Sequence, residues 1–275
     1  MKTRASVATI VAAITLVPMT TVAQDGEQGV VSDTISHELT TNIHVWAPDG
    51  PGPYPIVWAL HGTGVDFGRD FDVLGTHLAE AGIVTFAPDY HASDWQLGRG
   101  DRVEREGECG YRFVRQIAQD YGGSTDEPVA FLGHSIGGTY ALAGGLDVDA
   151  YGPDGTYTEC FEGAPRPDLV IPLAACHFEG DGRSWELDPA TYGTGDASLV
   201  FIGAENDDIC AAWQSVDAAA VFAGAGFESS STVVPAATHL GVMGHAVVDD
   251  EWVSMPDDPA VMAVAQAIIE AIDRS

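Results

Sequence analysis

Positive charge is scarce in this chain. Eleven Lys and Arg stand against 41 Asp and Glu among 275 residues, a formal net charge of −30 at pH 7, and the one lysine is Lys2. A surface this acidic repels phosphate over most of its area, which excludes nucleic acid as a partner. Long apolar runs are equally scarce: beyond residue 23 none approaches the ~18 uninterrupted positions that a membrane span needs. A polytopic membrane protein is therefore excluded, and no stable membrane insertion is expected. Cysteine is limited to four residues, none in the short Cys/His spacing of a zinc site. No EF-hand-like loop gives the many carboxylates a calcium site. No internal repeat or low-complexity linker divides the chain. Apolar residues make up 45% of it, enough for a core and too many for a disordered chain.

The N-terminus has its own pattern. Lys2 and Arg4 precede a run from Ala5 to Pro18 that is apolar apart from Ser and Thr, and Thr21-Val22-Ala23 offers small residues for cleavage. A positive start, a short apolar middle and a small-residue site make a secretory signal peptide over residues 1–23. The mature chain, 24–275, is then a single domain expected outside the cytoplasm, secreted or periplasmic, where disulfides are permitted. Its acidity suits solubility in salty surroundings as well as ordinary solubilisation.

Short apolar runs alternate with helical spacing along the rest of the sequence. Strands are predicted at Ile43–Ala47, Ile56–Leu60, Ile83–Ala87, Val129–Gly133, Leu169–Ala174, Leu199–Gly203 and Ser230–Pro235. Helices are predicted at Phe71–Ala81, Arg102–Tyr121, from the residue after Ser135 to Leu146, at Ala211–Ala223 and at Pro259–Ile272. Near-continuous apolar strands alternating with helices specify an α/β chain, with a mostly parallel sheet covered on both faces.

The sharpest chemical feature is Gly133-His134-Ser135-Ile136-Gly137. The apolar strand Val129–Leu132 enters it and the helical run Thr139–Ala143 leaves it. A strand-to-helix turn this tight strains the serine backbone and tolerates only glycine two residues to either side. A serine hydroxyl is a weak nucleophile near neutral pH and needs a base, which in turn needs an orienting acid. Two loops after later strands supply candidates. One reads Ala204-Glu205-Asn206-Asp207-Asp208, with Asp207 favoured and Asp208 and Glu205 as competitors; the other ends in His239. His245, His177, His61 and His91 are the alternative bases. For an oxyanion hole, the Ile136 N–H follows the nucleophile. His61-Gly62-Thr63-Gly64, after the strand Ile56–Leu60, offers the Thr63 N–H, with Gly62 allowing a close turn.

These three segments together resemble the α/β-hydrolase superfamily. More narrowly they resemble the bacterial cutinase-like polyester hydrolases and the dienelactone-hydrolase-like and chlorophyllase-like esterases. The resemblance implies an α/β-hydrolase fold and ester hydrolysis through an acyl-enzyme on Ser135, without cofactor or metal, by a monomer acting on small-molecule, lipid or polyester esters. Its chain order of nucleophile, acid and base selects Asp207 and His239, and the Gly203-Ala204-Glu205-Asn206-Asp207 stretch favours Asp207 over Asp208. Departures bear on the substrate. Where polyester hydrolases carry Trp after the strand that follows the elbow helix, this chain has Ala175-Cys176-His177-Phe178, and Thr63 stands where an aromatic is usual. Phe178, Trp185 and Trp95 are the candidate replacements lining the acyl cleft. Strand order in this superfamily also implies the disulfide Cys176–Cys210, leaving Cys109–Cys160 as the second. Acyl transfer, peptidase activity and a catalytically silent binding module are the competing functions on the same frame.

Overall fold

The computed structural model describes residues 29–36, 42–62, 68–90, 110–146, 166–177, 189–191 and 197–275. Its centre is an eight-stranded sheet in the order β1-β2-β4-β3-β5-β6-β7-β8. The strands are β1 Val30–Ile35, β2 Ile43–Pro48, β3 Ile56–Leu60, β4 Val84–Pro88, β5 Val129–His134, β6 Leu169–Leu173, β7 Ser198–Ala204 and β8 Ser229–Val234. β1, β2 and β4 pair antiparallel; every pairing from β4 through β3 and β5 to β8 is parallel. The helices are α1 Asp72–Glu80, α2 over residues 110–117, α3 Ile136–Leu146, α4 Trp213–Gly224 and α5 Pro259–Ile272. A separate hairpin, β9 His245–Val248 and β10 Glu251–Ser254, lies between β8 and α5.

The period-2 alternation of each central strand divides the core into two layers. Val57, Ala59, Ala130 and Leu132 face α1 and α5, packing with Leu74, Leu78, Val264 and Ile268. Ile56, Trp58, Leu60 and Phe131 face α2, α3 and α4, packing with Tyr111, Leu142 and Phe222. Trp58 is 1% exposed, and full burial of a side chain of this kind is worth about 2–3 kcal/mol. Tyr111 meets Phe131 edge-on with ring centroids 4.7 Å apart. α5 begins at Asp258, whose carboxylate accepts from the Ala260 N–H, with Pro259 in the first turn. No described helix is long and apolar enough to cross a membrane.

Every predicted strand and helix that falls on described residues is present, with ends shifted by two residues at most; the predicted helix Arg102–Tyr121 is helical over 110–117 and finishes in a 3-10 turn at Ala118–Tyr121. Three strands were not predicted. β1 is an edge strand whose middle residues are all exposed, so its sequence lacks the apolar alternation of a half-buried strand. β9 and β10 are short, and their turn at Asp249 and Asp250 relies on two non-glycine residues at φ 51° and 64°. The predicted signal peptide lies outside the described residues.

Candidate active site

The parallel strands all end on one edge, and their C-terminal loops converge there, where open α/β sheets place their chemistry. β5 runs straight into α3 through Ser135. Ser135 has φ 56°, a left-handed conformation that costs a non-glycine residue about 1–2 kcal/mol. The turn persists because its flanks permit it: a Cβ at Gly133 would overlap the Gly137 carbonyl, and one at Gly137 would overlap the Leu60 carbonyl. The Ser135 N–H donates to the Leu173 carbonyl at 3.0 Å, which ties the elbow to the end of β6.

β7 leads into the loop that carries the candidate acid. Asp207 Oδ2 lies 2.8 Å from His239 Nδ1, while Oδ1 accepts from the Ile209 and Cys210 N–H groups at 2.8 and 2.7 Å. Asp207 is buried, whereas Asp208 and Glu205 are exposed. Glu205 accepts instead from the Ala236 N–H at 2.8 Å and ties the acid loop to the base loop. β8 leads to the candidate base: Ala236 turns the chain with φ 58°, and His239 is buried beside Asp207. A neutral imidazole that donates from Nδ1 to a carboxylate leaves Nε2 as a proton acceptor. Among the described residues no hydrogen bond joins Ser135 Oγ to His239; catalytic hydrogen bonds are often long in a resting site and tighten on substrate.

The rival histidines have other partners. His245 Nε2 faces the Asp70 carbonyl at 2.8 Å and Asp72 Oδ1 at 3.2 Å. Burial alone would lower the His245 pKa, but the hydrogen bonds to Asp72 and Asp70 and the nearby carboxylate charge raise it above its ordinary value. Burial pushes His177 down to about 3, and its ring packs edge-on against Phe201. His61 braces the loop after β3. Its Nδ1–H donates to the Gly62 carbonyl at 2.9 Å, and its Nε2 accepts from the Tyr90 N–H at 3.4 Å. The Tyr90 hydroxyl donates to the His61 carbonyl. These contacts specify one neutral tautomer, and the loop they hold brings Gly62 against the nucleophile: a Cβ at Gly62 would lie 2.8 Å from Ser135 Cβ. Ile136 is the first residue of α3, so its N–H lacks an intrahelical acceptor.

The disulfide Cys176–Cys210 is present, with Cα atoms 4.7 Å apart, inside the range that a bridge requires. It joins the segment after β6 to the acid loop. Of the remaining sequence-derived candidates, Thr63, Trp95, Phe178, Trp185 and the pair Cys109–Cys160 lie outside the described residues, as does His91. Two residues that the sequence reading did not assign belong to the site's surroundings: His134, bonded through Nε2 to the His239 carbonyl at 2.8 Å, and Tyr90. Neither has a spacing signature; their roles come from side-chain direction at strand ends. Among the described residues no cluster of three or more His, Cys, Asp or Glu side chains is arranged to hold a metal ion.

No protein-family model matches the sequence, and no curated protein matches it significantly. Solved structures do match its fold. Esterase B from Lactobacillus rhamnosis, solved with a tributyrin phosphonate, has a TM-score of 0.64 at 16% identity, over 89% of this chain and 85% of that one. Butyrate-bound esterase 2 from Thermogutta terrifontis gives 0.62 at 15%, over 90% of this chain and 94% of that one. A truncated carbohydrate esterase from gut microbiota gives 0.61 at 16%, over 91% and 99%. With its mostly parallel eight-stranded sheet, its elbow serine between β5 and α3 and these structural neighbours, the chain has the α/β-hydrolase fold.

Proposed function

We propose that this protein is an exported serine ester hydrolase that works through an acyl-enzyme on Ser135. The observation that carries the reading is the 2.8 Å bond from His239 Nδ1 to Asp207, on the sheet edge where Ser135 stands at φ 56°. His239 Nε2 takes the proton from Ser135 as Oγ attacks the ester carbonyl, and Asp207 steadies the imidazolium that forms. The Ile136 and Thr63 amides receive the oxyanion; one such donor typically lowers the barrier by ~3 kcal/mol. His239 then protonates the departing alcohol, and water resolves the acyl-enzyme by the reverse path.

The esterase names of the structural neighbours support this chemistry, as do their inhibitor and butyrate complexes. The acid loop's likeness to polyester hydrolases extends the proposed substrates to polyester chains, with Gly62, Trp95, Phe178 and Trp185 lining the acyl cleft. Residues 1–23 serve as the export signal, and the bridge between Cys176 and Cys210 suits an oxidising compartment.

The test is Ser135→Ala assayed on a short-chain chromogenic ester. Loss of turnover by about 10⁴-fold or more is expected from a folded variant, together with loss of fluorophosphonate labelling. Full retained activity would remove the assignment. A panel of short esters, long esters and an aromatic polyester film then assigns the substrate.

A further inference from the structure

His134 ends β5, immediately before Ser135, and its side chain is buried. Its Nε2 lies 2.8 Å from the backbone carbonyl of His239, and the two imidazole centroids are 4.6 Å apart. A carbonyl oxygen only accepts, so Nε2 carries the ring proton. Burial, followed by the neighbouring His239, pushes the His134 pKa down to about 3, so near neutral pH the ring holds no second proton. Its Nδ1 is consequently a bare acceptor, buried and without a hydrogen-bond partner among the described residues. An apolar side chain here would remove the bare Nδ1 but leave the His239 carbonyl without this donor.

We propose that His134 is a positioning residue for the general base: by donating from Nε2 to the His239 carbonyl, it sets the distance between the base and the nucleophile. The proposal rests on Ser135 and His239 having the roles assigned above. Asp207 holds the imidazole of His239 at Nδ1, and Glu205 and the Asn206 N–H tie the base loop to the acid loop, but none of these bonds refers the base to the elbow. The His134 bond supplies that second anchor, from the residue covalently joined to Ser135. Ser135 is itself fixed by its N–H bond to Leu173, so the tether is referred to a rigid point. His134 must also remain neutral: His239 becomes cationic during the reaction, and a second cation at this ring separation would oppose it.

The test compares His134→Phe, which keeps a ring of similar shape without a donor, with His134→Gln, whose amide N–H reaches about as far as Nε2. With the full chain and a soluble butyrate ester, His134→Phe is expected to lower kcat by about 10- to 100-fold. KM should stay within about threefold, fluorophosphonate labelling of Ser135 should slow in parallel, and Tm should fall by no more than about 2–4 °C, the cost of one lost hydrogen bond. His134→Gln should recover most of the loss in kcat. Wild-type kcat in His134→Phe, equal losses in the Phe and Gln variants, or activity losses that simply follow Tm would overturn the proposal. Should the Phe variant not fold, His134→Met replaces it as the donor-free partner of the Gln variant. Ser135→Ala in the same assay separates the two readings. If it remains active, the acyl-enzyme on Ser135 falls; if it is inactive while His134→Phe is fully active, only the role of His134 falls.

Discussion

Asp207 uses both carboxylate oxygens, one on His239 and one on the Ile209 and Cys210 amides. The two uses separate on substitution. In Asp207→Asn the remaining carbonyl oxygen still accepts from the loop amides, while the new NH₂ faces His239 Nδ1 and forces the imidazole into the other tautomer. Nε2 then carries a proton and accepts none from Ser135. The expected result is a fall in kcat by roughly 10³–10⁴-fold with little loss of Tm, checked by steady-state kinetics and a thermal melt of the same preparation. Retained turnover would place the acid elsewhere. The acidic loop was legible because an apolar strand leads directly into it, but the choice of Asp207 over Asp208 came from the loop's resemblance to polyester hydrolases. Ser135 and His239 were singled out as candidates for the same reason, each at the end of an apolar run. His134 was not, because period-2 alternation breaks at an elbow and gives no direction for the side chain that precedes the serine.

The acid loop is held as an element by three ties: Asp207 Oδ1 inside it, Glu205 to Ala236 across to the base loop, and the Cys176–Cys210 bridge to the segment after β6. Cys210 carries both the bridge and one of the amides on Asp207, so opening the disulfide loosens the acid directly. Cys176→Ser with Cys210→Ser should lower unfolding stability by ~2–4 kcal/mol, read from the urea midpoint. It should also lower kcat, because Asp207 loses its support. Unchanged kcat in a destabilised variant would confine the bridge to folding. At this scale the pairing of Cys176 with Cys210 was implied by strand order, since β6 and β7 are sheet neighbours. β1 and β10 escaped notice because exposed strands bury no face, and burial is what writes alternation into a sequence; β9 is only four residues long and buries His245 alone.

The whole molecule sets the pH range in which this site stays folded. With a formal net charge of −30, ionising the last carboxylates adds repulsion to the compact state as pH rises. Two groups near the start of α1 act in the same direction. Burial pushes Asp70 up to about 6, and its Oδ2 has no partner among the described residues; His245, bonded to Asp72 and the Asp70 carbonyl, is raised as well. A folded-state pKa above the unfolded value means that the native chain binds the proton more tightly. The Asp70 contribution is therefore complete below about pH 4 and lost as pH climbs through about 6. That of His245 is complete below its unfolded pKa of about 6.5 and lost above its folded one. Asp89 has the opposite sign: burial raises its pKa, but hydrogen bonds from His44, Asn42 and the Gly68 N–H outweigh it, so its contribution disappears only in acid. Stability should thus peak on the acid side of neutrality and decline toward pH 8. Asp70→Asn removes one cause of that decline. Its Tm should match the wild type near pH 4 and exceed it at pH 8 by roughly 2–4 °C, an effect of about 1 kcal/mol in a chain this long once solvent screening is allowed for. Melts of both proteins at constant ionic strength between these limits decide the matter: two parallel curves would mean that Asp70 is no source of the slope, and converging curves at low pH would assign it to this carboxyl.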